Sequence, residues 1–129
     1  MSKDARSEDL ELTAEEREKF SELVALLARH GFGAAGPRRE TTFAQIEQFG
    51  HQAGRMLARA IDTRLAEQHA GHFAGAEPCP VCGEKHLPKE CPHDRGLQTE
   101  DGEVGLREPA FHCEPCERDF FPAAHRVAD

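Results

Sequence analysis

Two pairs of cysteines are the residues of this chain whose type and spacing most clearly indicate chemistry. Cys79-Pro-Val-Cys82 is followed by Gly83, and Cys113-Glu-Pro-Cys116 begins after thirty intervening residues. Each Cys-x-x-Cys turn directs two thiolates at one point, and two such turns supply the four ligands of a tetrahedral zinc ion. The predicted ligands of this Zn2+ are Cys79, Cys82, Cys113 and Cys116. A closed four-thiolate shell leaves no position for water, so the predicted site is structural rather than catalytic.

Other potential ligands lie close to these pairs in sequence. Cys91 is followed by His93 after one proline, and His86 and His112 are also close in sequence to the cysteine pairs. We interpret Cys91 as a fifth, non-ligand cysteine, but whether it or a nearby histidine joins the metal site stays open.

A redox function is the alternative for the first cysteine pair. Cys79-Pro-Val-Cys82 resembles a thioredoxin-like redox pair, but that motif belongs at a helix start in a βαβ unit, which the pattern here does not predict. A redox role for Cys79 and Cys82 would also leave the second pair, Cys113 and Cys116, without a function. No nucleophile, base and orienting group are grouped in the chain, so the sequence predicts that it is not an enzyme.

Composition points to small modules in a reducing compartment. The chain has 129 residues, of which 31% are charged, with eight Phe and neither Trp nor Tyr. Modules with so few large apolar side chains usually need a staple such as a metal ion. An odd number of cysteines, five, argues against a disulfide framework. No apolar run or secretory signal is evident, so we expect a cytoplasmic protein without a membrane partner.

The first predicted helix follows a flexible N-terminus over residues 1–12. Thr13 and Glu16 form a capping box, and apolar residues then recur with helical spacing. Gly31 is a C-terminal stop signal. These signals predict a helix over about 13–30.

The second predicted helix, over about 42–69, begins at the capping pair Thr42 and Gln45. A helix of this length is too long to be covered by the first alone. We therefore expect it to contact a second copy of this chain or a separate catalytic subunit. With the first helix it makes up a helical segment over 13–72.

Beyond this segment the pattern predicts β structure. Asp101-Gly102 is a hairpin signal between strands near 96–99 and 103–108. We assign a zinc ribbon to residues 76–122, with its last residues as an apolar lid over the hairpin, and a loose tail to 123–129. The predicted fold class is α+β: an N-terminal helical hairpin with one long helix, then a small zinc-ribbon β-hairpin module.

Charge is distributed unevenly along the chain. The net charge is −8, and residues 73–129 carry six basic against twelve acidic side chains, or −6. Residues 31–72 carry five against four. Because phosphate contacts need clustered cations, any DNA contact belongs to the helical half. The candidate DNA-binding residues are Arg38, Arg39, Arg55 and Arg59.

The motifs of the C-terminal half resemble a known family. Cys79–Gly83, the run Thr99-Glu-Asp-Gly-Glu-Val104, Cys113–Cys116 and Phe120-Phe121-Pro122 resemble the zinc-ribbon region of insertion-sequence transposases of the ISKra type. Residues 40–62 also look like the segment that precedes this ribbon, so the resemblance covers most of 14–129. It implies a DNA-transposing enzyme with an RNase H-like catalytic domain, which this sequence does not contain.

Two functional hypotheses follow. In the first, the chain is the zinc-ribbon DNA-binding or accessory module of a truncated or split transposase-like protein and contacts mobile-element ends. In the second, it is a protein-interaction or dimerisation module with a structural zinc and no DNA binding. The uneven charge favours the second.

Overall fold

A computed structural model of the chain describes residues 9–128. Two α-helices are followed by small antiparallel sheets, which confirms the predicted α+β class with one long helix. The chain divides into two compact units, one ending at Ala53 and one beginning at Gly54. Residues 1–8 of the predicted N-terminal segment lie outside the described residues.

Helix α1, Ala14–Phe32, begins at the predicted capping box. The Thr13 amide donates to the Glu16 carboxylate (2.9 Å) and the Glu16 amide donates to the Thr13 hydroxyl (3.1 Å). The expected stop at Gly31 is wrong, because the helix continues to Phe32 and is capped by Gly33, whose φ is 85°. This positive φ suits glycine, and the Gly33 amide donates to the Arg29 carbonyl.

Helix α2 spans Phe43–Ala70 and continues as a 3₁₀ turn over Gly71–Phe73. Its first turn repeats the reciprocal cap, with the Thr42 amide donating to the Gln45 side chain and the Gln45 amide donating to the Thr42 hydroxyl. Among the described residues, neither helix has the length and apolarity to cross a membrane.

In the N-terminal unit, α1 packs on the first turns of α2 around the Phe32 and Phe49 rings, whose centroids are 5.5 Å apart. A side chain at Gly31 would collide with the Phe49 ring, 2.6 Å away. This glycine therefore serves close packing. No residue of either helix is fully buried, and Phe20 and Val24 are about half exposed.

Seven short strands form three antiparallel sheets in the C-terminal unit. Strands β1 (Glu77–Pro78) and β2 (Lys85–His86) pair in one, and β3 (His93–Thr99) and β4 (Gly102–Glu108) in the next. The third sheet has the order β5-β6-β7. Its strands are Phe111–Cys113, Arg118–Phe121 and Arg126–Val127.

The hairpin of β3 and β4 lies where the sequence predicts one, but it is longer. Thr99 pairs with Gly102, and the register runs to His93 opposite Glu108. The loop therefore consists of Glu100 and Asp101, with Gly102 already in the ladder at a φ of 117°.

A small core forms at the third sheet, where the Phe111 and Phe120 rings stack with centroids 5.2 Å apart. Cys79 and Cys113 belong to the same buried cluster, and Val127 packs against it. Phe120 thus covers the cysteines, whereas the neighbouring Phe121 packs on the β3–β4 hairpin, with its ring 5.0 Å from that of His93 on β3. The last residues differ from the predicted tail, because β7 adds to the sheet and the Ala128 amide donates to the Asp119 carbonyl.

Candidate metal centre

Both cysteine pairs lie in turns between paired strands. Cys79 and Cys82 lie in the turn between β1 and β2. Cys113 ends β5, and Cys116 lies in the turn that leads into β6. Pairing of the strands on either side thus fixes where each pair of sulfurs is directed.

Backbone hydrogen bonds shape the first turn. The Gly83 amide donates to the Cys79 carbonyl, and the Cys79 amide donates to the Glu84 carbonyl, each at 2.8 Å. The Val81 amide points at the Cys79 sulfur, 3.4 Å away. Gly83 closes the turn in the left-handed region with a φ of 87°.

The second turn also ends in a left-handed residue, but this residue is not a glycine. Glu117 stands in the same place after Cys113 as Gly83 does after Cys79, and its φ is 53°. Its amide donates to the Glu114 carbonyl at 3.1 Å. Glutamate rarely adopts this conformation, which costs a side-chain-bearing residue about 1–2 kcal/mol.

The two turns bring four sulfur atoms together. The Cys82 and Cys113 sulfurs are 3.5 Å apart, and those of Cys79 and Cys116 are 3.9 Å apart. All four lie within 4.8 Å of one another. A regular tetrahedron with Zn–S bonds of about 2.3 Å has sulfur–sulfur edges of about 3.8 Å. The four cysteines therefore fit a single tetrahedral metal ion and are too far apart for disulfides.

Ionisation of the four thiols also favours a cation. The backbone N–H of Cys82 lowers the pKa of the Cys79 thiol to about 7, against the opposing effect of burial. Burial raises the pKa of the Cys113 thiol. A side-chain hydrogen bond with Cys82 and, to a lesser extent, burial raise the pKa of the Cys116 thiol to about 12. Four adjacent thiolates do not form at neutral pH without a positive charge, which a divalent ion supplies.

Three of the neighbouring candidates lie outside this cluster, whereas the fourth, His86, approaches Cys113. His112 accompanies Cys113 on β5, but its Nδ1 is 2.8 Å from Asp119 Oδ1 on the paired strand. Cys91 is exposed and is not one of the grouped ligands. His93 lies beside the Phe121 ring.

Of the four arginines predicted to contact DNA, Arg59 has a structural contact. Its Nη1 donates to the Asp101 carbonyl at 2.9 Å and lies against Gly102. This contact joins α2 to the tip of the β3–β4 hairpin. The other three, Arg38, Arg39 and Arg55, are exposed.

A buried carboxylate that the sequence did not indicate holds two sheets together. Glu108, at the end of β4, is 4% exposed. Its Oε2 accepts from Arg95 Nε on β3 at 2.9 Å and from Arg126 Nη2 on β7 at 2.6 Å. Arg126 also stacks on the Phe121 ring, 4.0 Å from its centroid. The charge pattern offered no signal, because Glu108 lies among many acidic residues that are exposed.

No protein-family model, curated protein or solved structure matches this chain.

Proposed function

We propose that the C-terminal unit is a zinc ribbon in which Cys79, Cys82, Cys113 and Cys116 bind one structural Zn2+. Two sulfur–sulfur distances, 3.5 and 3.9 Å, carry this proposal. They are close to the edge length of about 3.8 Å that a ZnS4 tetrahedron has. All four positions are taken by protein sulfur, so the ion stabilises the fold and activates no water. On this proposal the chain itself catalyses no reaction.

Substitution of one buried sulfur tests the zinc ribbon. Structural zinc contributes about 10–16 kcal/mol of apparent binding free energy at neutral pH. Cys113→Ser should therefore abolish zinc retention and unfold residues 76–122. Cys91→Ser is the matched control, because this exposed cysteine is outside the cluster. Full zinc occupancy in Cys113→Ser, measured by elemental analysis, would overturn the ligand assignment.

For the biological role, we propose a DNA-binding or accessory module of a transposase-like protein. The resemblance of the two cysteine motifs and the Phe-Phe-Pro ending to the ribbon of such transposases supports this role. The zinc ribbon has a net charge of −6 over residues 73–129 and repels phosphate. DNA contact is therefore assigned to the helical half, through the exposed Arg38, Arg39 and Arg55.

A salt titration of duplex DNA binding tests this role. Removing one arginine that binds a phosphate should reduce the slope of log affinity against log salt by about 0.9. We expect the double variant Arg38→Ala/Arg39→Ala to reduce the slope by up to about 2. Arg107→Ala should leave it unchanged, because Arg107 is paired with Asp94 on the ribbon. Absence of DNA affinity at low salt would refute this role but leave the zinc site intact.

The second candidate role is dimerisation, which the helical unit specifically favours. An apolar groove of about 620 Å³ runs between α1 and the start of α2, lined by Val24, Leu27, Phe32, Ile46 and Phe49. A unit of about 50 residues with no fully buried helical residue has too small a core to be stable alone. A second copy of this chain would cover the groove with an equally apolar surface.

Mass in solution tests the dimerisation role. Dimerisation predicts a concentration-dependent dimer by sedimentation, which Val24→Glu dissociates because Val24 lines the groove. Ser21→Glu on the same helix, outside the lining, is the control. A monomer at all concentrations would exclude this role.

A further inference from the structure

Beside the four-cysteine cluster, a second set of potential metal ligands shares one sulfur with it. Ligand atoms of Glu84, His86 and Cys113 all lie within 4.8 Å of one another. We propose that these three side chains bind a second divalent transition-metal ion, with the Cys113 thiolate bridging the two ions. This inference rests on the proposed zinc centre, because Cys113 belongs to both sets.

The His86 imidazole supports this second site. Its Nε2 is buried and has no hydrogen-bond partner among the described residues. The Glu84 Oε1 lies 3.5 Å from it, but the two atoms do not form a hydrogen bond. Nitrogen and oxygen ligands about 2.0–2.2 Å from one tetrahedral ion are separated by about 3.4 Å. The pair thus has the spacing of two ligands of one metal ion.

Another histidine–carboxylate pair of the same unit has a different geometry. His112 and Asp119 are 2.8 Å apart and hydrogen bonded. No ligand set among residues 9–128 includes that pair. The exposed pair of His51 and Glu47 on α2 has a similar spacing of 3.6 Å. The His86–Glu84 pair differs from it because His86 Nε2 is buried and because Cys113 lies close to both side chains.

Charge also favours a second cation. Four thiolates around one Zn2+ carry a net charge of −2, and Cys113 is fully buried, so water does not stabilise its sulfur. An ion held by an imidazole nitrogen and a carboxylate oxygen offsets this charge. Glu84 is 56% exposed and leaves the ion a route from solvent. Thiolate and imidazole ligands select Zn2+ or Co2+ rather than Mg2+ or Ca2+.

Cobalt spectroscopy on the full-length, reduced chain tests this site. The chain is first loaded with one equivalent of Zn2+, and Co2+ is then added while released zinc is monitored with a chromogenic chelator. We expect a sulfur-to-cobalt charge-transfer band without zinc release, because Cys113 ligates the added ion. His86→Leu should abolish the band, and Glu84→Gln should weaken it. His112→Leu, the matched control, should keep it.

The outcomes separate this site from the zinc ribbon. A wild-type chain that binds one Zn2+ but gives no cobalt band refutes the second site alone. A band that persists in His86→Leu, or that appears only as zinc is released, also overturns it. A lower zinc affinity in His86→Leu without any band in the wild type would make His86 a support of the first ion, contrary to the proposal. A chain that retains no zinc at the first step refutes both centres.

Discussion

The left-handed residue that closes each cysteine turn gives a prediction with opposite signs at two equivalent positions. Gly83 and Glu117 both have positive φ, 87° and 53°. Left-handed backbone costs a residue with a side chain about 1–2 kcal/mol. Glycine avoids this cost but gives back about 0.5–1 kcal/mol through its greater freedom in the unfolded chain. We therefore expect Glu117→Gly to stabilise the ribbon by about 0.5–1 kcal/mol and Gly83→Ala to destabilise it by a similar amount.

Gly83→Ala tests the effect of backbone conformation without a change in packing. A Cβ at Gly83 would meet no atom within 4 Å, so steric collision adds nothing to the cost. Because folding and zinc binding are coupled in a ribbon, the difference should appear in zinc affinity. A change of 1 kcal/mol corresponds to about fivefold in the dissociation constant. Competition with a chelator of known affinity measures it.

A charge control is needed at Glu117, since the ribbon is acidic. Glu117→Gln removes the charge but keeps a side chain in the left-handed conformation, so it should bind zinc less tightly than Glu117→Gly. If Glu117→Gln and Glu117→Gly bind equally tightly, charge rather than backbone conformation explains the gain. If Gly83→Ala binds zinc as tightly as the wild type, the reasoning from φ is refuted.

Three further predictions concern ion pairs, a hydrogen bond and thiol ionisation in the C-terminal unit. Glu108→Gln should lower the free energy of unfolding by about 2 kcal/mol, because it removes the buried negative charge that Arg95 and Arg126 share. Asp94→Asn, in an exposed ion pair, should change the free energy of unfolding by less than about 1 kcal/mol. Arg59→Ala should destabilise by about 1 kcal/mol because it removes the hydrogen bond to the hairpin tip, and the exposed Arg55→Ala by less than about 0.5 kcal/mol, both measured by denaturant unfolding. Zinc affinity should fall throughout as the pH is lowered, because Cys116, whose pKa is about 12, must lose a proton on binding. The fall should steepen below pH 7, where Cys79, whose pKa is about 7, holds a second proton. Calorimetry in buffers of different ionisation enthalpy measures the protons released, and an affinity independent of pH would contradict thiolate ligation.

The features predicted correctly are those that neighbouring residues determine. A Cys-x-x-Cys motif holds its two sulfurs together in almost any turn, and Thr13 with Glu16 satisfies free amides within one helical turn. The joining of the two pairs was predicted from chemistry, because two sulfurs alone do not complete a zinc shell. Local geometry and ligand number were therefore enough to predict the fold class and the grouping of the cysteines, and the structure agrees with both.

The features missed depend on residues far apart in sequence. Arg59 contacts Asp101, 42 residues away, so its spacing on α2 gave no sign that it was engaged. The end of α1 was misplaced because Gly31 and Gly33 are both stop signals, and only packing against Phe49 explains why the first is glycine. Glu117 in a left-handed conformation has no signal at all, since that conformation normally selects glycine or asparagine.

The cysteines and the aromatic rings are buried in one cluster. Metal binding and folding of the ribbon should therefore occur in a single transition. Cys79 and Cys113 belong to the same cluster as the stacked Phe111 and Phe120. With Phe121, three phenylalanine rings are buried. They contribute about 2–3 kcal/mol each, far less than the entropy of ordering some 45 residues. Without the ion, the sulfurs that complete this core would repel one another once ionised. The rings alone are therefore too small a core to hold the strands, and the strands alone do not hold the four sulfurs.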